Sequence, residues 1–343
     1  MNYKKYCLGC GEILQIENKN SDGYTPDINL KFCKSCFQNK NYGIINDNKT
    51  FLNIEKTLIK IKQKKLNVIL IIDILNPFET LLKNINNYVN KKNIILIVNK
   101  RDIFPKSISD LKIKKWIEKI ALKANFSFKK IFIISSLKHK NIDNVFEFFD
   151  SFKFKEFAVI GYSNVGKSHF LNSLFASKKV KIENLISNSL STTKKEIKLN
   201  LKNLIFYDYP GFFLEGNYLN LIKNLEFKKI SPQKEIKVIN YNLKDSQLVK
   251  IDNYAFLAIN NLKEFNNFQF IFSNNLKISR HKFDKNIIDK KFKNIIFNNL
   301  KSYEKYDLII SGLGIITFKK LSNDLTLFLP ENVKYNLLES IFS

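Results

Sequence analysis

Two stretches of this chain have the residue types and spacing to hold the phosphates of a nucleotide. Gly161-Tyr162-Ser163-Asn164-Val165-Gly166-Lys167-Ser168 fits the pattern Gly-x4-Gly-Lys-Ser. In that pattern a glycine-rich loop turns its backbone N–H groups onto phosphate oxygens, the lysine reaches the β- and γ-phosphates, and the serine hydroxyl ligates Mg²⁺. Gly161, Ser163, Asn164, Val165, Gly166, Lys167 and Ser168 are therefore the candidate phosphate and metal ligands. Downstream, Asp208-Tyr209-Pro210-Gly211 follows an apolar run. Asp208 is placed to hold Mg²⁺ through water, and Gly211 to offer a backbone N–H to a γ-phosphate. Between them lies Ser191-Thr192-Thr193 in a polar stretch. One threonine there would complete the metal shell, with Thr193 the candidate and Thr192 its alternative. Lys167, Thr193 and Gly211 are the candidates for the catalytic step.

Two further stretches have the chemistry to read a base. In Asn99-Lys100-Arg101-Asp102, the Asp102 carboxylate can accept both N1–H and N2–H of guanine. Adenine lacks that donor pair, so a buried Asp102 would penalise it. Asn99 would tie loops together, and the stem of Lys100 would cover the ring. Ser135-Ser136-Leu137-Lys138 follows another apolar run; its backbone would meet guanine O6, with Lys138 shielding the ring. These base-reading motifs precede the phosphate motifs, the reverse of an ordinary small GTPase. The motifs can still converge in space if the chain is circularly permuted. The segment after Gly211 then runs outward into the C-terminal region, so that loss of the γ-phosphate would pull on that region.

Small GTPases with a glutamine directly after Asp-x-x-Gly use it to orient the attacking water. Phe212 stands there instead, so slow intrinsic hydrolysis is expected. Asn164 in the glycine loop is the candidate K⁺ ligand, and K⁺ beside the phosphates could replace the missing charge stabilisation. The four cysteines form two knuckles, Cys7-x2-Cys10 and Cys33-x2-Cys36. That spacing suits a tetrahedral, four-thiolate structural zinc site.

The elements that must position these residues show in the apolar periodicity. Val68–Asp73, Ile94–Val98, Ile131–Ile134, Phe157–Ile160 and Leu204–Tyr207 read as buried strands. Helical faces are expected over Leu81, Leu82, Ile85, Tyr88 and Val89, around Trp116, Ile117 and Ile120, over Ile142–Phe149, and over Phe170–Phe175. Strands alternating with helices argue for an α/β, doubly wound, mostly parallel sheet. From about residue 232 the alternation stops, and the short runs 236–241, 268–272, 308–318 and 325–329 suggest antiparallel sheet. The division expected is 1–43 for the zinc module, 44–231 for the permuted P-loop domain, and 232–343 for a β-rich domain whose ligand is RNA or protein.

The net charge of +26 favours a polyanionic partner, although the abundance of Lys, Asn, Ile and Phe also fits an AT-rich genome. No apolar run approaches the roughly 18 residues of a membrane helix, and the first residues carry no apolar signal core. A cytoplasmic, monomeric protein with no membrane partner is expected. Glycine is scarce, ten in 343 residues, and several of the ten fall in the phosphate motifs and in Ser311-Gly312-Leu313-Gly314.

Taken in order, the four-cysteine module, NKRD, SSLK, GYSNVGKS and DYPG motifs and a β-rich tail resemble the YqeH family of circularly permuted GTPases. The strand ending in Asp73 and the late Ser311–Gly314 turn fit it too. The resemblance implies GTP and GDP as ligands, Mg²⁺ and Zn²⁺ as metals, and a role in assembly of the small ribosomal subunit through rRNA. One departure is Leu190-Ser191-Thr192-Thr193, where the family has Pro-Gly-Thr-Thr. YlqF-like permuted GTPases, which act on the large subunit, lack the N-terminal zinc module; RsgA-like ones place zinc after the GTPase domain. A GTP-dependent scaffold with negligible turnover is the alternative of another class.

Overall fold

The computed structural model describes residues 5, 13–19, 21, 23–30, 32–34, 54–180, 196–222, 224–260, 265–288, 292–297, 300, 304–319 and 324–340. Cys7, Cys10, Cys36, Thr192 and Thr193 lie outside them. The chain divides into two compact units, Met1–Arg101 with Ala121–Leu214, and Asp102–Ile120 with Glu215–Ser343.

The first unit is built on a six-stranded sheet. Its strands are β1 (Asn67–Asp73), β2 (Ile94–Asn99), β3 (Lys130–Ile133), β4 (Glu156–Ile160), β5 (Ile197–Leu201) and β6 (Leu204–Asp208), in the order β3-β2-β1-β4-β6-β5. All neighbours pair in parallel except β5 with β6. Every residue of β1 and β2 is buried, which is why both read as unbroken apolar runs; a parallel strand covered on both faces has no solvent side to show as alternation.

Around the sheet stand α1 (Ile54–Gln63), the short α2 (Pro77–Thr80), α4 (Ile142–Asp150) and α5 (Lys167–Ser177). Helix α3 (Asp110–Lys123) carries the chain from the second unit back into the first. Ile142, Val145, Phe146 and Phe149 line one face of α4. They join Ile69, Ile95, Val159 and, from α5, Phe170 and Leu174 in one core. Phe149 sits at its centre, with ring centroids 4.9 Å from Phe157 and 6.0 Å from Phe206.

The helix expected over Leu81–Val89 is not formed. The chain makes α2, then a 3-10 turn at Ile85–Asn87 entered through Asn84 in the left-handed region, φ 64°. Leu81, Leu82, Ile85 and Val89 are still buried, so their spacing reflects a buried loop. Near Cys33, the described N-terminal residues form a small cluster of Leu14, Ile28, Phe32 and Cys33 itself.

The second unit contains two five-stranded antiparallel sheets, β16-β13-β14-β10-β7 and β11-β8-β9-β15-β12. The strands are β7 (Ile239–Leu243), β8 (Gln247–Ile251), β9 (Ala255–Asn260), β10 (Asn266–Phe272), β11 (Ile278–Lys282), β12 (Phe292–Ile296), β13 (Lys305–Ile310), β14 (Gly314–Lys319), β15 (Asp324–Pro330) and β16 (Tyr335–Glu339). Leu257, Ile259 and Leu327 from one sheet share a core with Phe268, Phe270, Leu308 and Ile316 from the other, the arrangement of a β-sandwich. The single run expected at 308–318 is two strands, β13 and β14, joined through Ser311–Leu313.

That turn explains its glycines. Gly312 has φ 77°, and a Cβ there would collide with the Asn217 carboxamide; a Cβ on Gly314 would overlap the Phe272 ring. Two short helices, α6 (Tyr218–Leu221) and α7 (Asn224–Ile230), follow Gly216. Tyr218 N donates to Ser311 O at 2.9 Å, and Lys334 N to Gly216 O at 2.9 Å. The segment just past Asp208–Gly211 is thus folded into the sandwich. Residues 102–120 belong to the same unit; Ile236 N donates to Ile103 O, and Lys106 pairs with Glu235 at 2.9 Å.

Candidate nucleotide site

The candidate motifs of the first unit all stand at the C-terminal ends of its parallel strands, where open α/β sheets bind ligands. Asp73 ends β1, Asn99 ends β2, Ser135 follows β3, Gly161 follows β4 and Asp208 ends β6. Strands β1 and β4 are neighbours although they are separated by β2 and β3 in the chain. This reversal of strand order places the glycine loop beside the ends of β1 and β2.

The loop is shaped by what its glycines touch. A Cβ on Gly161 would lie 2.5 Å from Ile71 O, and one on Gly166 (φ 96°) would collide with Asn99 Nδ2. Asn164 takes a left-handed φ of 67°. Helix α5 begins directly after Gly166, so its first N–H groups and positive dipole end open onto the loop, the arrangement that holds phosphate.

Lys167 is buried, and its Nζ donates to Gly161 O at 3.2 Å and Tyr162 O at 3.4 Å. Burial lowers its pKa to about 8, opposed in part by the Asp208 carboxylate. Phosphate charge in the loop would supply the missing counter-ion and push that value back up. Asp208 is fully buried at the end of β6, level with Val159 of β4. Ser168 is half-buried.

Gly211 lies against the loop. A Cβ there would come 2.9 Å from Lys167 Nζ and 2.9 Å from Ser163 Oγ. Phe212 is fully buried and stitched to the same loop. Its N–H donates to Gly161 O at 3.1 Å, and its carbonyl accepts from Ser163 N at 2.8 Å and Ser163 Oγ at 3.2 Å. Its ring meets Tyr162 edge-on at 6.1 Å. A side chain committed to the core in this way has no means to orient a water.

Asn99 joins the base-reading loops to the phosphate loop. Its Nδ2 donates to Val165 O at 3.0 Å, while its Oδ1 accepts from Ser136 N at 3.1 Å and Ser136 Oγ at 2.9 Å. The Ser135 loop is closed on itself, since Lys140 N donates to Ser135 O at 3.0 Å and Lys138 N to Ser135 Oγ at 3.0 Å. Leu137 and Lys138 are exposed at its tip. Lys100 (φ 69°) pairs with Asp73 Oδ2 at 2.6 Å. Asp102, half-buried, opens the second unit.

Two contacts escape the motif reading. One is the Lys100–Asp73 pair, whose only signal is an aspartate closing a buried apolar strand. The other is a 2.8 Å hydrogen bond between His139 Nδ1, at the tip of the Ser135 loop, and Ser173 Oγ of α5. No pattern announces it, because it joins residues 34 apart.

Among known proteins, the family described as 50S ribosome-binding GTPase matches residues 156–273, the stretch from β4 to β10. Over nearly the full length, the chain is 27% identical across 362 residues to Bacillus subtilis (strain 168) YqeH, described as uncharacterized. That alignment covers 96% of this chain and 97% of the relative. The likeness to that YqeH protein runs through both units of the chain.

With a GTPase family matching its phosphate-loop half and relatives named as GTPases, the chain is a GTPase. Other relatives match over less of their own length. NO-associated protein 1 of Arabidopsis thaliana is 21% identical, over 69% of this chain and 48% of that protein. GTPase Era of Ureaplasma urealyticum serovar 10 is 33% identical, over 51% of this chain and 56% of that one. Among solved structures, the GDP-bound structure of TM YlqF is 20% identical with a TM-score of 0.31, covering 45% of this chain and 57% of that one.

Proposed function

We propose that this YqeH-type GTPase is a ribosome assembly factor of the small subunit, whose nucleotide state is coupled to its C-terminal domain. The observation that carries the nucleotide half is the two-way bridge made by Asn99, which joins motifs from both halves of a permuted chain. In this reading Asp102 reads the guanine edge, and the Ser135–Lys138 loop frames the ring. The N–H groups from Gly161 to Ser168 hold the phosphates, Lys167 neutralises charge on the transferred phosphoryl group, and Gly211 N–H meets the γ-phosphate. Mg²⁺, held by Ser168, Asp208 and Thr193, would supply Lewis-acid charge stabilisation.

The buried Phe212 supports slow intrinsic turnover, and the left-handed Asn164 within the phosphate loop is the proposed K⁺ ligand. Hydrolysis should run several-fold faster in potassium than in sodium at equal ionic strength; equal rates would remove K⁺ from the account. The spacing of Cys7, Cys10, Cys33 and Cys36 supports a structural zinc module over 1–43, ahead of a GTPase domain over 44–231 and a β-rich domain over 232–343.

Coupling is supported by the chain path. It passes into the second unit directly after Arg101 and again after Leu214, three residues beyond Gly211. The ribosomal half draws on the family resemblance and on the relatives. Because the matching family is described as binding 50S, the test carries both arms: co-sedimentation with 30S and 50S subunits in GDP and in a non-hydrolysable GTP analogue. Nucleotide-dependent 30S binding is expected, and exclusive 50S binding would overturn the subunit assignment. No helix among the described residues is long and apolar enough to cross a membrane, and a cytoplasmic monomer is proposed.

A further inference from the structure

Strands β3, β2, β1, β4 and β6 run parallel, so their starts line the edge of the sheet opposite the nucleotide loops. Lysines collect there in pairs. Lys91 and Lys92 lead into β2, and Lys129 and Lys130 open β3. Lys64 and Lys65 lead into β1, and Lys153 and Lys155 into β4.

Short hydrogen bonds hold these segments side by side. Lys129 N donates to Ile94 O at 2.8 Å, Asn67 Nδ2 to Phe154 O at 2.7 Å, and Ile205 N to Lys155 O at 2.9 Å. Two of the lysines are neutralised within the unit, Lys64 by Glu196 and Lys155 by Asp150, each at 2.6 Å. For the other six, no carboxylate lies within ion-pair distance among the described residues.

Helix dipoles explain only part of this. A cation in the last turn of a helix is favoured by its macrodipole, which accounts for Lys60 and Lys62 of α1 and Lys123 of α3. Lys91 and Lys92 sit in a lone 3-10 turn capped by Asn90, and Lys129 and Lys130 come several residues past the end of α3. No α-helix end lies within a turn before either pair.

We propose that this lysine-lined edge of the sheet, opposite the nucleotide loops, docks the phosphate backbone of RNA. With adjacent strands about 4.8 Å apart, five strand starts spread over roughly 19 Å, enough to meet about five successive phosphates of one nucleic-acid strand. Phe154 is 71% exposed between Lys153 and Lys155, with Lys153 Nζ 5.9 Å from its ring centroid; its ring offers a face for an unpaired base beside that cation. A membrane-lying surface needs a broad apolar face beneath its cations; of the side chains in these strand-start segments, Phe154 is the exposed large apolar one. The choice of RNA over other polyanions rests on the ribosome-directed reading; the placement of the cations does not.

The test is fluorescence anisotropy of a labelled rRNA hairpin with the full chain in GDP, across a salt series. Wild type is compared with the combined variant Lys91→Gln, Lys92→Gln, Lys130→Gln, Lys153→Gln, all four positions being exposed. The slope of log K against log salt should fall by about three units, and affinity by at least roughly tenfold, with GDP affinity unchanged. If the fourfold variant fails to bind GDP, the double variant Lys91→Gln, Lys92→Gln should still lower the slope by about 1.5.

An unchanged slope would overturn the proposal while leaving the ribosomal reading intact, since RNA would then be held elsewhere. Absence of RNA binding by wild type, together with absence of 30S co-sedimentation, would remove both. Loss of binding to phosphatidylserine vesicles in the variant, with RNA binding unaffected, would overturn the proposal in favour of a membrane surface.

Discussion

Replacing Asn99 by alanine would strip three hydrogen bonds from a buried position and leave Val165 O, Ser136 N and the Ser136 hydroxyl unsatisfied. Orphaned buried groups cost about 1–3 kcal/mol each before relaxation. GDP affinity measured by calorimetry should therefore fall roughly 10- to 100-fold; an unchanged affinity would mean that the two halves of the site do not depend on each other. Gly211→Ala acts on a different quantity. Its Cβ would press on Lys167 Nζ and Ser163 Oγ, on the side where the γ-phosphate is proposed to sit. Single-turnover hydrolysis should drop by more than tenfold with GDP affinity within a few-fold, the signature of an interaction that matters beyond ground-state binding. Parallel losses in both would place Gly211 in general loop integrity instead.

Among the elements, β4, α4 and α5 depend on a shared aromatic core. Phe149 of α4 touches Phe157 of β4, Phe170 of α5 and Phe206 of β6. Phe149→Ala should destabilise the first unit by about 3–5 kcal/mol in denaturant titration, the range for a buried aromatic, and a loss under 1 kcal/mol would show that the core can collapse around the gap. These elements were legible because their signals are physical and local: β1 and β2 are continuous apolar runs, and α4 shows one helical face. Leu81–Val89 misled because burial alone set its spacing, while Asn84 turned the backbone into the left-handed region. In the sandwich, β11 (Ile-Ser-Arg-His-Lys) lies at a sheet edge with mostly polar, half-exposed residues. Its pairing with β8 is a long-range choice that no local pattern records. The same reason hid Lys100–Asp73 and His139–Ser173, whereas the glycine loop and its companions were legible because phosphate and guanine dictate residue types directly.

For the whole molecule, the order of motifs and the chain path belong together. The motifs of the first unit stand at one end of the parallel strands of one sheet although the chain visits the base-reading strands first. Asp102 and the segment after Leu214 are the points where the chain passes into the second unit. The +26 charge acts over the whole surface and steers the protein toward polyanions, but it does not distinguish one nucleotide from another. In the proposed reading that discrimination is the task of Asp102. The most direct measurement of the account is the ratio of dissociation constants for ADP and GDP on the full-length chain in Mg²⁺. A site built to hydrogen-bond the guanine edge should bind ADP at least roughly a thousandfold more weakly. A ratio within tenfold would contradict the claim that the permuted motifs close into one guanine-reading site.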